Sequence, residues 1–423
     1  MTDQPKTRRA SLLRDRRFAF GLLLASVMGL GMGQTVTFAI LPPIGRQLGL
    51  TEFQVGSIFS VSAMMWILLS PTWGRLSDQW GRKPIILIGM AGYIVSTAAF
   101  TSAISYGLAG GASLLAIYLL MVVTRSIYGA IGPGLRVASQ AYIVDRTSLK
   151  DRTVAIAGLS AAFGLGNVIG PGLAAFSNFG LLAPLWFIVG FMVLLSIAVT
   201  IWLPERSAPG KREARGRLPV TDARIRPFLI YGLVAGMAIA TPMQTSAFYF
   251  IDVLGFDIEE SAQFVGIGLT CSALAALFSQ LVLVQRFRLS PPTMMIAGVG
   301  VIAVAQFALG MSTTFGPFVF ALMLNGLGAG MAIPGYNAGA SLAVGSDEQG
   351  AVAGIAGAMG AAGFSVVPLV NLNLYRFDPS YPYLLDAILM VALLVYCINN
   401  QAVRKSGQLS ETLPDDFEEH FVD

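Results

Sequence analysis

The 423-residue chain holds one histidine, His420, two cysteines, Cys271 and Cys397, and only 12% charged residues. His420 sits in the acidic tail. A histidine proton relay within an apolar segment and a histidine-based metal site are both excluded. The cysteines lie in separate apolar runs with no CxxC and no metal-type neighbour, and read as structural thiols. The sequence also lacks a phosphate loop, a metal cluster and a nucleophile–base constellation, which argues against an enzyme. Hydrophobic residues make up 55% of the chain and the mean hydropathy is +0.70, so this is not a soluble globular protein. The alternating pattern of a membrane β-barrel is missing as well.

Long apolar runs are what remains. A stretch of about 20 residues crosses a hydrocarbon core of about 30 Å, and without water its backbone must close its own hydrogen bonds as helix. Twelve such segments are expected, at 18–41, 53–71, 85–104, 112–135, 153–176, 181–203, 227–251, 262–284, 292–311, 316–343, 350–372 and 382–402. The first is too long for a signal peptide and is read as uncleaved. Alternating the loops between two sides places 24 of the 27 Lys and Arg residues on one side, with Arg46 and Arg376 opposite and Arg125 inside a span. Both termini are therefore expected in the cytoplasm. The net charge of +4 is a topology signal and not a nucleic-acid patch. The polar segment 204–226 divides the spans six and six: a cytoplasmic amino terminus (1–17), a first bundle (18–203), this central loop, a second bundle (227–402) and an acidic cytoplasmic tail (403–423). Glycine-rich runs recur at the fifth span (Gly158, Gly164, Gly166, Gly170, Gly172) and the eleventh (Gly350, Gly354, Gly357, Gly360, Gly363), an internal repeat offering small faces for close helix contact.

The stretch Gly74-Arg75-Leu76-Ser77-Asp78-Gln79-Trp80-Gly81-Arg82-Lys83-Pro84 forms a charged turn between the second and third spans, with glycines for the tight backbone and Arg82 and Lys83 for anionic headgroups. It resembles the G-x-L-x-D-x-x-G-R-K signature of the major facilitator superfamily, and the resemblance extends over residues 18–402. It implies an all-α membrane protein of twelve transmembrane helices in two pseudo-symmetric six-helix bundles. It further implies that Gly74, Asp78, Gly81, Arg82, Asp145 and Arg146 belong to a cytoplasmic charge network that latches one of two conformations. Arg152 would join it. The second-half counterpart, Val284 to Pro291, keeps Arg286 and Arg288 but loses the glycines and the aspartate, so the latch is expected to be asymmetric.

Arg125 lies midway along the fourth span, where an arginine costs about 2.5–3.5 kcal/mol to insert. Such a charge faces a cavity or a partner, or is a structural cation held by carbonyls and by Gln or Tyr groups. Arg125 to Gly129 resembles the family's R-x-x-x-G motif, associated with proton-coupled transport. Gly166 to Gly172, with Gly170 and Pro171 at its centre, resembles the G-x-x-x-G-P motif linked to antiporters. The first span departs from many drug antiporters: it carries Gln34 but no acid. The acids left for coupling are Asp252 and Asp386, near the outer ends of the seventh and twelfth spans. Asp252 could titrate if desolvated, or equally cap its helix. Gln34, Tyr128, Asn167, Gln244, Tyr249, Asn325, Tyr336, Asn337 and Asn371 are candidates for a substrate cavity, with methionines such as Met28, Met32, Met64, Met65, Met237 and Met243 as a compliant apolar surface.

The resemblance therefore implies a transporter most similar to the twelve-helix drug:proton antiporters and tetracycline exporters: a monomer of the cell inner (cytoplasmic) membrane, without cofactor, driven by a proton gradient and exporting small lipophilic molecules. An uptake symporter or facilitator for a small metabolite or organic anion is the competing reading, and a membrane enzyme or a receptor a remote one.

Overall fold

The computed structural model describes residues 4–147, 149–205, 219–345 and 348–405. Residues 1–3, most of the central loop, the tail beyond residue 405 and the side chain of Arg152 lie outside the described residues. Among the described residues there are helices and turns but no strand, as hydrocarbon requires of a backbone with no water to bond.

In chain order the helices are α1 (Gln4–Leu48), α2 (Glu52–Trp80), α3 (Arg82–Leu108), α4 (Leu114–Ile131), α5 (Pro133–Asp145), α6 (Leu149–Gly172), α7 (Ala183–Trp202), α8 (Arg226–Asp252), α9 (Ile258–Phe278), α10 (Gln285–Phe287), α11 (Pro291–Met311), α12 (Phe315–Leu342), α13 (Gln349–Tyr375), α14 (Tyr381–Asn399) and α15 (Gln401–Lys405). Among the described residues, eleven helical stretches are long and apolar enough to cross a membrane, and α4 with α5 forms one of them. The fifth expected span is α6, followed by a 3-10 segment at Leu173–Phe179. A π-helical turn, Ser279–Val284, carries α9 into α10.

Several boundaries differ from those expected. α2 continues through Trp80 and α3 begins at Arg82, so the turn is Gly81 alone, at φ 96°. Only glycine adopts that conformation without strain. Gly74 and Asp78 are helical. α1 runs past Pro42 and Pro43 to Leu48, and α5 carries the fourth span to Asp145. Hydropathy falls off before the helix does, because polar residues at a membrane surface can stay helical.

The chain forms two compact units, Met1–Arg212 with Asp257–Thr270, and Glu213–Phe256 with Cys271–Asp423. In the first, α1 lies against α6. A Cβ at Gly31 would strike the Phe163 carbonyl, one at Gly166 the Met28 carbonyl, and one at Gly170 the Met32 carbonyl and Thr35. In the second, α8 meets α13 in the same manner, through Gly236 against Gly360 and Gly363 against Met237. The two glycine-rich helices thus make equivalent contacts in their own units. Phe228, Tyr231, Met295, Val299 and Ile302 form the centre of the second unit's core, all fully buried.

Candidate functional site

Helix α4 holds Arg125 almost entirely away from the surface, 2% exposed. Its guanidinium carbon stands 4.6 Å from the centre of the Tyr128 ring and 5.8 Å from that of Phe100. Nε and Nη1 are buried without an acceptor, and among the described residues no carboxylate pairs with them. The carbonyls and amides that a structural cation would use are not bonded to it. Gln34 instead accepts from the Tyr128 hydroxyl at 3.3 Å. The cation rests on aromatic faces, a geometry strengthened by desolvation. Tyr93 and Trp66 pack edge-on or tilted against Tyr128, at 5.4 and 5.3 Å between ring centres.

The backbone around Arg125 is clamped. Ser62 on α2 donates to the Arg125 carbonyl at 3.2 Å, and Ser96 on α3 donates to the Thr124 carbonyl at 2.6 Å. Gly129 makes the α2 contact possible, since a Cβ there would overlap the Ser62 carbonyl. Eleven residues, or about three turns, beyond Arg125, Arg136 lies over the Phe163 ring at 4.6 Å. Asn167 on α6 has a buried carbonyl oxygen with no donor. Sequence reasoning missed Tyr93, Phe100, Trp66 and Arg136, because no local pattern marks which aromatic residue on another helix will face a given charge.

At the junction of α2 and α3 Arg82 is the hub. It is 5% exposed, and it pairs with Asp78 at 2.6 Å and Asp145 at 2.9 Å while donating to Ser77 at 2.7 Å. A buried guanidinium bound to two carboxylates cannot also anchor to headgroups, so that expected role is corrected. Lys83 likewise donates to the Thr200 carbonyl at 2.7 Å. Arg146 stacks on Tyr142, 3.5 Å from the ring centre, and donates to the Pro204 carbonyl at 3.1 Å. Asp145 therefore joins the Arg82 hub, and Arg146 ties α5 to the end of α7. Gly74 meets only Val137, at ordinary contact distance.

The second unit has its own ion-pair cluster, which sequence reasoning did not find. Arg224 grips both oxygens of Glu348, at 2.9 and 3.0 Å, and pairs with Asp222 at 2.8 Å. Hydrogen bonds from Arg224 hold the Glu348 and Asp222 carboxyls below their ordinary range. Val284 to Pro291 was the expected counterpart of the Arg82 turn, and there Arg288 sits in a left-handed conformation at φ 47°.

Deeper in this unit, Asp386 and Asn371 come together. Asp386, on the second turn of α14, is wholly buried. It accepts from the Asn371 Nδ2 at 3.0 Å, and the same Nδ2 donates to the Thr241 hydroxyl at 2.6 Å. Asp386 Oδ1, Asn371 Oδ1 and Gln244 Oε1 are buried without donors, while Gln244 Nε2 donates to the Phe364 carbonyl at 3.1 Å.

The other candidates have partners or positions of their own. Tyr249 stacks on Phe318 at 4.9 Å and donates to the Ser312 carbonyl at 2.8 Å. Asn325 accepts from Gln306 at 3.2 Å. Tyr336 donates to the Ala356 carbonyl at 3.3 Å. Asn337 is exposed. Asp252 is exposed at the end of α8 and accepts from the Tyr375 hydroxyl at 3.0 Å. Pro171 lies in the last turn of α6, just before the 3-10 segment takes over at Leu173. Among the described residues no group of His, Cys, Asp and Glu could hold a metal ion.

Known proteins place this architecture. The profile of the Major Facilitator Superfamily matches residues 23–287 and 260–414. The class D tetracycline resistance protein of Salmonella ordonez is 26% identical over 411 residues, covering 93% of this chain and 98% of that protein. Multidrug resistance protein 1 of Bacillus subtilis (strain 168) is 26% identical over 283 residues, covering 65% of this chain and 68% of its own. The crystal structure of the human organic anion transporter MFSD10 shares the fold, with a TM-score of 0.66 and 19% identity over 90% of this chain and 99% of that one. A multi-pass transporter of helical architecture, the chain belongs to the Major Facilitator Superfamily.

Proposed function

We propose that this protein exports small lipophilic molecules across the inner membrane in exchange for protons, working as a monomer that alternates between inward- and outward-open states. The observation that carries this reading is likeness along nearly the whole chain to a tetracycline resistance protein, with multidrug resistance protein 1 as a further relative. The Arg82 hub supports the alternation, because buried ion pairs that exist in one conformation and not in another give a transporter two defined states.

Arg125 bears on the substrate. A desolvated guanidinium with two orphaned donors and no carboxylate favours a ligand that brings an ionised oxygen, held by charge-assisted hydrogen bonds and flanked by the rings of Tyr128 and Phe100. The preferred cargo is therefore a planar or aromatic molecule with an acidic group. The same arginine supports a second reading, uptake of an organic anion together with protons.

Proton flux in liposomes containing the purified protein, under an imposed pH gradient, tests both readings. Proton release into the donor compartment on adding an acidic lipophile establishes export by exchange. Co-directional movement of protons and a small anion establishes uptake. Compounds that move without any proton flux leave a facilitator, and exchange falls.

A further inference from the structure

Buried carboxylates usually have a cation beside them or enough donors to share the charge. Asp386 has neither. Asn371 donates to Oδ2, and the Thr241 hydroxyl also interacts with the carboxyl. Oδ1 is orphaned, and so is the side-chain carbonyl of the same Asn371. The titratable groups on the surrounding helices do not supply the missing charge. Helix α11 has none between Pro291 and Met311. Helix α14 contributes Tyr383, which accepts from the Thr245 hydroxyl at 2.8 Å. From α8 come Tyr249, committed to the Ser312 carbonyl, and Asp252, and from α13 comes Tyr375, which is bonded to Asp252. Arg226 and Arg404 stand at the far ends of their helices. Among the described residues no Lys, Arg or His pairs with Asp386.

A carboxylic acid and a primary amide pair through two hydrogen bonds, amide N–H to acid carbonyl and acid O–H to amide carbonyl. Asp386 and Asn371 already make the first. The second needs one proton on Oδ1, which would give both orphaned oxygens a role at once. An ionised Asp386 leaves the buried Oδ1 facing no donor, whereas a proton on Oδ1 makes it a donor of the kind the orphaned Asn371 carbonyl needs.

We infer that Asp386 is the carboxyl that takes up and releases the exchanged proton, with Asn371 as the positioning residue that receives the protonated form. The inference rests on the exchange reading above and locates its proton in the second unit, between α8, α13 and α14. Deprotonation strips the pair of one hydrogen bond and leaves a buried negative charge, so the local packing of α14 against α8 and α13 has two states of unequal stability, set by a single proton. Thr241, whose hydroxyl shares the Asn371 amide, links that change to α8.

The test uses the full-length protein in lipid nanodiscs without any substrate. Infrared difference spectra between alkaline and acidic solution should show the carbonyl band of a buried protonated carboxyl. Asp386→Asn should remove that band, and Asn371→Leu should keep it but displace its midpoint by about one pH unit. In liposomes, Asp386→Asn should lower substrate-driven proton release at least tenfold while substrate still binds. If Asp386→Asn does not fold, the displaced midpoint in Asn371→Leu decides alone. An unchanged band in the variants overturns the inference, as does a band that responds to sodium ions and not to pH. Because the spectra need no cargo, they stand if the protein proves to carry something else. Loss of the band with intact drug-driven proton release would refute Asp386 and leave the exporter standing.

Discussion

Replacing Arg125 with methionine should make the protein more stable and inactive, two changes that a structural arginine could not give together. Two orphaned, buried donors cost about 1–3 kcal/mol each. The rings of Tyr128 and Phe100 return about 2 kcal/mol of cation–π attraction once desolvated. The balance favours an apolar side chain of similar volume by roughly 0–4 kcal/mol. That corresponds to a rise of up to several degrees in the melting temperature of a unit of this size, at about 2–4 °C per kcal/mol. Thermal unfolding followed by tryptophan fluorescence reads the unit that holds Arg125, because Trp66, Trp73, Trp80, Trp186 and Trp202 all lie in it. Transport of an acidic lipophile in the same preparation should fall at least a hundredfold, in line with a ligand contact of about 3 kcal/mol between charged partners. Arg125→Lys keeps the charge but loses the flat guanidinium, and should retain only weak transport. A lower melting temperature in Arg125→Met would show that the ring contacts outweigh the orphaned donors. Unimpaired transport would end the assignment of Arg125 to the cargo.

Two variants at the Arg82 hub should differ in severity. The Asp145 side chain is 21% exposed and that of Asp78 is 41% exposed, so Asp145→Asn should slow transport more and destabilise by about 1–3 kcal/mol against less than about 1 kcal/mol for Asp78→Asn. Equal effects, read by denaturation and transport rate, would contradict the hub. Among the α6 glycines, Gly166→Ala should cost about 1–3 kcal/mol by forcing α1 away, whereas Gly164→Ala meets nothing within 4 Å and should be neutral or slightly stabilising. Melting temperatures of the two variants decide it. The Arg224 cluster predicts a pH dependence. Because Arg224 holds the Glu348 carboxyl below its ordinary value of 4.5, the pair is stabilising above that pH and fails as pH drops through the lower folded value. Glu348→Gln should lower stability at neutral pH, leave stability in acid unchanged, and so flatten the acid limb of the profile. A steeper acid limb in that variant would reverse the sign.

Much of the fold was legible because a bilayer leaves so few choices. Runs of apolar residues must be helices, basic loops must gather on one side, and two glycine-rich spans at matching positions signal a repeat. Those arguments need only the order of residues. Boundaries were less legible, since α2 and α5 carry their helices beyond the apolar stretch and a single glycine, Gly81, makes the turn. The sites divide in the same way. Arg125 and Asp386 were visible because a charge in an apolar run is costly wherever the helix packs. Their surroundings were not. The rings under Arg125 come from α3 and α4 and the amide beside Asp386 from α13, contacts set by how the helices cross.

From the sequence alone, the protein had to be a helical membrane transporter with two halves, a glycine-bracketed charged turn and a few misplaced charges. Tertiary structure decided what each charge means. It turned Arg82 from a headgroup anchor into a buried hub and gave Asn325 and Tyr249 partners of their own. It left Arg125 with no counter-ion among the described residues and put Asp386 beside the Asn371 amide. The reason is physical: the cost of a buried charge is written in composition, whereas the partner that offsets it lies wherever two helices happen to bring side chains together.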